Sequence, residues 1–325
     1  MRLRRLLAVM LVSAVAASIQ AQTSRDTGLS SIADLDSAVH KVLSPAPQES
    51  REAIDWLARH GDRSSIAVLI QLLRWLPEYR EMLDARLEAL TGAHVGPHWF
   101  DWMVWQQDHP DLPRYAGYAR FLTDLLVRID PRFKRFIYDG IAHETRIEEI
   151  AWGGVIVDGI PALDNPAMTA ASTANYLNPD DPVFGVEING DARAYPLRIA
   201  NWHEMVNDVV GGVPVSLAYC TLCGSGILFN DRVAGREEAF TFGSSGLLYR
   251  SNKLMFDRQT DSLWEQFTGR PVAGLTAAGD ASGGDVLTFL VVVTTWPDEA
   301  TRTSNSPLVA QARAKVGPSD PAMSP

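Results

Sequence analysis

Cys220 and Cys223 are the only cysteines in the 325-residue chain, and they lie three positions apart in Tyr219-Cys220-Thr221-Leu222-Cys223-Gly224. In a tight turn, two thiols at this spacing point to one side and can share one soft cation, the layout of a zinc knuckle. Gly224 relieves crowding where backbone N–H groups face the sulfurs. The same spacing suits a disulfide, a redox pair or a nucleophilic thiol. A thioredoxin-like pair opens a helix whose dipole lowers the thiol pKa, whereas Ile227-Leu228-Phe229 here reads as strand. A four-coordinate metal needs further ligands, and no second Cys-x-x-Cys exists. His203 is the expected third ligand, and Asn207, a poorer donor, is the remaining candidate. Thiolates with an imidazole suit zinc or copper, so Cys220, Cys223 and His203 are the expected metal site.

Other residues around them carry chemistry of their own. His203-Glu204-Met205-Val206-Asn207 falls one histidine short of the His-Glu-x-x-His zinc-protease helix, so protease activity is not expected. His203 also reads as a helix-edge histidine bonded to a backbone carbonyl, or as the base for a Cys220 or Cys223 nucleophile. Gly243-Ser244-Ser245-Gly246 fails the nucleophile-elbow template because Leu247 replaces its last glycine; it reads as a serine-lined turn. Asp257 and Arg258 read as a loop ion pair. Ser245, Tyr249, Asp257 and Arg258 are the remaining candidates for a cleft beside the cysteines.

The elements that must position these residues change character along the chain. Ile199 to Val210 is predicted as a helix: Ile199, Trp202, Met205, Val206, Val209 and Val210 share one face at about 100° per residue. That helix places His203 and Asn207 together on its edge and turns Glu204 toward solvent. Val215–Tyr219 and Ile227–Phe229 bracket the cysteines as strands. Asn189-Gly190 between Val183–Ile188 and Asp191–Tyr195 is a strong hairpin signal, since both central residues need positive φ. Phe240–Phe242, Leu247–Tyr249 and Lys253–Phe256 read as further strands, and 286–295 as an edge strand. Upstream of Trp152 the apolar period is helical, with helices expected over Glu52–His60, Ser64–Trp75, Glu78–Leu90 and Phe121–Ile129. The helix pairs weakly resemble HEAT-type repeats. The aromatic run over 94–118 is expected to pack as core.

Arg2, Arg4 and Arg5 followed by apolar residues 6–19 and small residues up to Ala21 read as a signal peptide over 1–21. Its removal leaves 26 basic against 39 acidic residues, a balance of −13, which repels nucleic acid and anionic lipid. No later stretch is long and apolar enough to span a membrane, so the expected setting is periplasmic or secreted. Residues 22–47 read as a flexible lead-in and 297–325 as a disordered tail.

Ala194-Tyr195-Pro196-Leu197, Trp202-His203-Glu204 with Asn207-Asp208, and Tyr219–Gly224 resemble the bacterial family known as domain of unknown function 3179. Phe242–Tyr249, Asp257-Arg258-Gln259-Thr260 and Ser262-Leu263-Trp264 continue the likeness, over about 150–296. Family members are mostly secreted or envelope-associated, and the resemblance implies domain limits and a site location rather than a reaction. Thr221 stands where members often carry proline, and members usually continue with ordered chain beyond the Trp296 position. The expected architecture is α+β: a helical region over 48–150 packed on a mainly antiparallel β module over 151–296 that contains the Cys-x-x-Cys knuckle. The expected function is transition-metal binding. The alternatives are a thiol-dependent enzyme with a cysteine nucleophile and histidine base, and a module whose helical region docks an envelope protein partner.

Overall fold

The structure, a computed structural model, describes residues 32–178, 181–233, 236–278, 287–290, 293–295 and 315–316. The expected signal peptide and all but two residues of the expected tail lie outside the described residues. The chain forms two compact units. One holds the described residues up to Trp102 with Asp111–Tyr115; the other holds Met103–Pro110 and the described residues from Ala116 on.

The first unit is helical. Its helices are α1 (Leu35–Val42), α2 (Pro47–His60), α3 (Ile66–Trp75) and α4 (Arg80–Thr91). The Asp34 carboxylate caps α1 by accepting from Ser37 N at 2.8 Å, so the expected lead-in over 22–47 holds a capped helix where it is described. Every residue from Ile66 to Leu73 in α3 is buried, which makes it the central element of this unit. Gly92, at φ 74°, ends α4. The division between units falls within α5 (Trp99–Gln107). In its first half Trp102 is fully buried and donates its indole N–H to Asp84 at 2.7 Å, as expected for core, whereas Phe100 of the same aromatic run is 54% exposed.

The second unit opens with α6 (Tyr118–Leu126) and continues as strands. These are β1 (Ile150–Trp152), β2 (Leu163–Asp164), β3 (Thr169–Ala170), β4 (Val183–Ile188) and β5 (Asp191–Pro196). Helix α7 (Leu197–His203) follows, then β6 (Met205–Val210), β7 (Val213–Cys220), β8 (Ser225–Asn230), β9 (Phe242–Tyr249), β10 (Asn252–Asp257), β11 (Leu263–Glu265) and β12 (Arg270–Ala273). Short strands β13 (Thr288–Leu290), β14 (Val293–Thr295) and β15 (Lys315–Val316) complete the described chain. They build three five-stranded sheets in the orders β1-β9-β10-β11-β12, β13-β8-β7-β6-β2 and β14-β4-β5-β15-β3. Pairing is antiparallel except for β2 with β6 and β15 with β5. Helices in the N-terminal half and antiparallel sheets in the C-terminal half make the chain α+β.

Met205, Ala218 and Phe229 of the second sheet share a core with Phe242, Met255 and Trp264 of the first. Phe242 and Trp264 meet edge to face at 5.5 Å. Asn189 and Gly190 take φ 51° and 79° between paired β4 and β5, forming the predicted hairpin.

Several predicted elements differ; of the strand expected over Phe240–Phe242, only Phe242, which opens β9, is strand. The helix expected over Ile199–Val210 stops at His203; Glu204 turns left-handed at φ 55°, and Met205–Val210 is strand β6. Nearly every residue of β6 is buried, so its sequence lacks the alternation that marks a half-exposed strand. The serine run expected as a turn lies inside β9, where the pairing with β10 slips by a bulge. The single edge strand expected over 286–295 is two strands in two sheets, β13 on β8 and β14 on β4; residues 286, 291 and 292 lie outside the described residues.

Candidate functional site

The Cys-x-x-Cys turn closes the β7–β8 hairpin, with Cys220 paired to Ser225 across it and Gly224 at φ +62°. The two sulfurs are 2.6 Å apart, and both cysteines are free. Their surroundings differ: Cys220 is 2% exposed, while Cys223 is exposed to solvent. Burial, then the contact with the Cys223 thiol, pushes the Cys220 thiol up to about 11, while the backbone N–H groups of Cys223 and Lys253 pull it down.

The turn is held by strand β10 and the segment after β11. Gln266, fully buried, donates to Ala218 O at 2.8 Å and Ser225 O at 2.9 Å, clamping both sides of the hairpin. Its amide oxygen accepts from Asn252 Nδ2 at 2.8 Å, and the same Asn252 nitrogen lies 3.4 Å from Cys223 Sγ. The Cys223 thiol also points at Ser251 O, 3.5 Å away.

Glu204 enters from the junction of α7 and β6. Its carbonyl accepts Tyr219 N at 2.7 Å, and its carboxylate accepts Thr221 Oγ1 at 2.9 Å and Lys253 Nζ at 3.0 Å. Ser244 Oγ approaches the same carboxylate at 3.4 Å. The Lys253 side chain is 4% exposed. Burial lowers its pKa, and the charges of Glu204, Cys220 and Asp158 oppose that shift. Tyr219, next to Cys220, is raised by burial first, with Cys220 and Glu204 adding to the shift. The site is thus a sulfur pair flanked by a buried ion pair. Asn252 Oδ1, Ser225 Oγ and Asp158 Oδ1 are buried around it without a hydrogen-bond partner among the described residues.

With this geometry in place, comparison adds one finding: residues 157–316 match the model of a family described as protein of unknown function, DUF3179. This segment is a DUF3179 domain. No curated protein and no solved structure matches the chain. The match reaches past Trp296, where the resemblance had been expected to end.

Within the DUF3179 domain the other expected site residues are dispersed. His203 ends α7, and its Nδ1 bonds Pro161 O at 2.8 Å. Asn207 is on β6, not beside His203 on a helix. Its amide donates to Asp164 Oδ1 at 2.7 Å and Phe242 O at 2.8 Å and accepts from Phe242 N at 2.9 Å, joining β6 to β9. Ser245 is fully buried and donates to Leu254 O, bridging the β9 bulge. Tyr249 lies under the Arg250 guanidinium. The expected Asp257–Arg258 pair gives way to two separate contacts. Asp257 accepts from Thr260 and the Trp264 indole, with burial raising its pKa, and Arg258 reaches Asp164 at 2.6 Å. Among the described residues no group of three or more His, Cys, Asp or Glu side chains is placed to hold a metal ion. No described helix is long and apolar enough to cross a membrane.

Glu204 and Lys253 were not among the expected site residues. The predicted helix turned Glu204 outward. Lys253 opens Lys253-Leu254-Met255-Phe256, a strand whose inward face cannot be told from its sequence when both faces are covered.

Proposed function

We propose that the DUF3179 domain carries a thiol–disulfide exchange centre, with Cys223 as the sulfur that meets the substrate and Cys220 as the sulfur that resolves it. The observation that carries the reading is the asymmetry of the pair: two free thiols with adjacent sulfurs, one exposed and one buried. Only small side-chain movements separate such a pair from a disulfide. The second sulfur leads into β8 rather than a helix, so no helix dipole acts on the pair. Backbone N–H groups of Cys223 and Lys253 take that role at Cys220.

The substrate class is a disulfide, R–S–S–R, of a small thiol or a client protein. The Cys223 thiolate attacks one sulfur, forms a mixed disulfide and releases RS⁻, which takes up a proton. The Cys220 thiolate then attacks Cys223 Sγ, closes the intramolecular disulfide and releases the second RS⁻. The pair loses two electrons and two protons, and the substrate gains both. The setting that fits is the exported one to which Arg2, Arg4, Arg5 and the following apolar run point, because disulfides persist there.

The test equilibrates purified protein in reduced and oxidised glutathione mixtures, followed by alkylation and mass measurement. A reversible two-electron transition is expected in the wild type and its loss in Cys223→Ser. Two thiols that stay alkylatable at every ratio would overturn the reading. So would stoichiometric zinc or copper in protein purified without chelator, if it shields both sulfurs; that result would restore the metal-binding alternative.

A further inference from the structure

A lysine buried this completely beside a thiol is an expensive feature. Apolar residues of similar volume usually serve a fold at least as well as a buried ion pair. Lys253 nevertheless stands on β10 next to Asn252, whose amide nitrogen lies 3.4 Å from Cys223 Sγ, with its own side chain 4% exposed. Its charged form is upheld by Glu204, 3.0 Å away, whose carboxylate is tied by Thr221 to the Cys-x-x-Cys turn itself. The groups facing the ammonium and the Cys220 sulfur are Glu204 from the α7–β6 junction, Cys223 from the turn and Asp158 from the loop after β1. Tyr219 on β7 and Ser244 on β9 complete the surroundings.

We infer that Lys253 acts on the second step of the exchange, its buried ammonium favouring the Cys220 thiolate that attacks Cys223, with Glu204 as the positioning residue that keeps the ammonium charged and in place. This rests on the exchange reading above. It assigns the two sulfurs different helpers. Cys223 is exposed and meets the substrate from solvent. Cys220 has lost the solvation that would let it ionise, and a nearby cation offsets part of that loss. The rate of disulfide closure follows the fraction of attacking thiolate.

Dithiobis(nitrobenzoate) separates the steps, because attack by Cys223 releases one coloured thiolate and closure by Cys220 releases the second. Wild type, Lys253→Met and the double variant Lys253→Met/Glu204→Gln are compared. In K253M the first release is expected to be unchanged, and the second to slow by roughly tenfold or more. The mixed disulfide then accumulates and is seen by mass. The double variant lacks both the ammonium and the carboxylate that repels a thiolate, so its closure is expected between K253M and wild type. A wholly structural role would slow both releases together or neither. Either pattern overturns the inference, as does wild-type closure in K253M. Should K253M fail to fold, the double variant, in which no buried charge of the pair is left alone, decides: closure at the wild-type rate overturns the inference, and slowed closure with an unchanged first release supports it. Failure of the exchange reading is distinguishable, because the wild type itself would then give no second release.

Discussion

Asn207 uses both ends of its amide, with Nδ2 on Asp164 and Phe242 O and Oδ1 on Phe242 N, while 4% exposed. Asn207→Ala strands the backbone N–H and C=O of Phe242 in the core. The expected cost is about 2–4 kcal/mol, read as a lower urea midpoint at unchanged slope. As a metal ligand, its expected partner was His203, through shared position on a helix. That geometry fails because one residue, Glu204, turns left-handed and hands the chain from helix to strand. The cysteine pair itself was legible, since spacing in a turn fixes which side two sulfurs face. The ion pair beside it was not. Lys253 on β10 reaches Glu204 from 49 residues away, and proximity between residues so far apart in sequence leaves no local pattern.

At the scale of elements, two hairpins show where turn chemistry can be read. Asn189-Gly190 supplies positive φ from residues that favour it, and the hairpin is visible in the sequence. The β9–β10 hairpin turns through Arg250 and Ser251 at φ 47° and 65°, neither of which advertises the conformation. Arg250 is anchored there by Glu149, whose side chain is fully buried. Ser251 bonds Cys223 only through its carbonyl, so its side chain is free to change. Ser251→Gly is expected to stabilise the fold by about 0.5–1 kcal/mol, relief of the left-handed strain exceeding the entropy of glycine; thermal unfolding checks the sign. The serines of β9 were misread for a related reason: Gly243–Gly246 looks like a turn, yet its glycines serve close approach. A Cβ at Gly243 would stand 2.5 Å from Asp158 Oδ1 and 2.6 Å from the Phe256 ring.

The switch from a helical to an alternating period near Trp152 lies beside the first strand, β1 at Ile150, because long periodic stretches reflect burial of one face. The division between the two compact units falls inside α5, a helix that carries no linker signal. The stability of the whole molecule carries a charge signature as well. Asp231, 2% exposed and accepting from Ser216 Oγ at 2.6 Å, is pushed up to about 7 by burial. A carboxyl that keeps its proton in the folded chain after the unfolded chain has lost it stabilises most below the unfolded value of 3.8. That contribution declines as pH rises through about 7. Asp231→Asn keeps the hydrogen bond and cannot ionise. Its stability relative to wild type is therefore expected to grow between roughly pH 4 and pH 8, by at most about 4 kcal/mol, measured by urea unfolding at each pH. Two opposed costs meet at another position. Glu204 holds a left-handed backbone that glycine or asparagine adopts at less cost, by about 1 kcal/mol. Glycine would, however, leave the Lys253 ammonium buried without its carboxylate, a loss of about 3–5 kcal/mol that outweighs the backbone relief, so libraries sorted only for thermal resistance should keep Glu204 and its left-handed turn together.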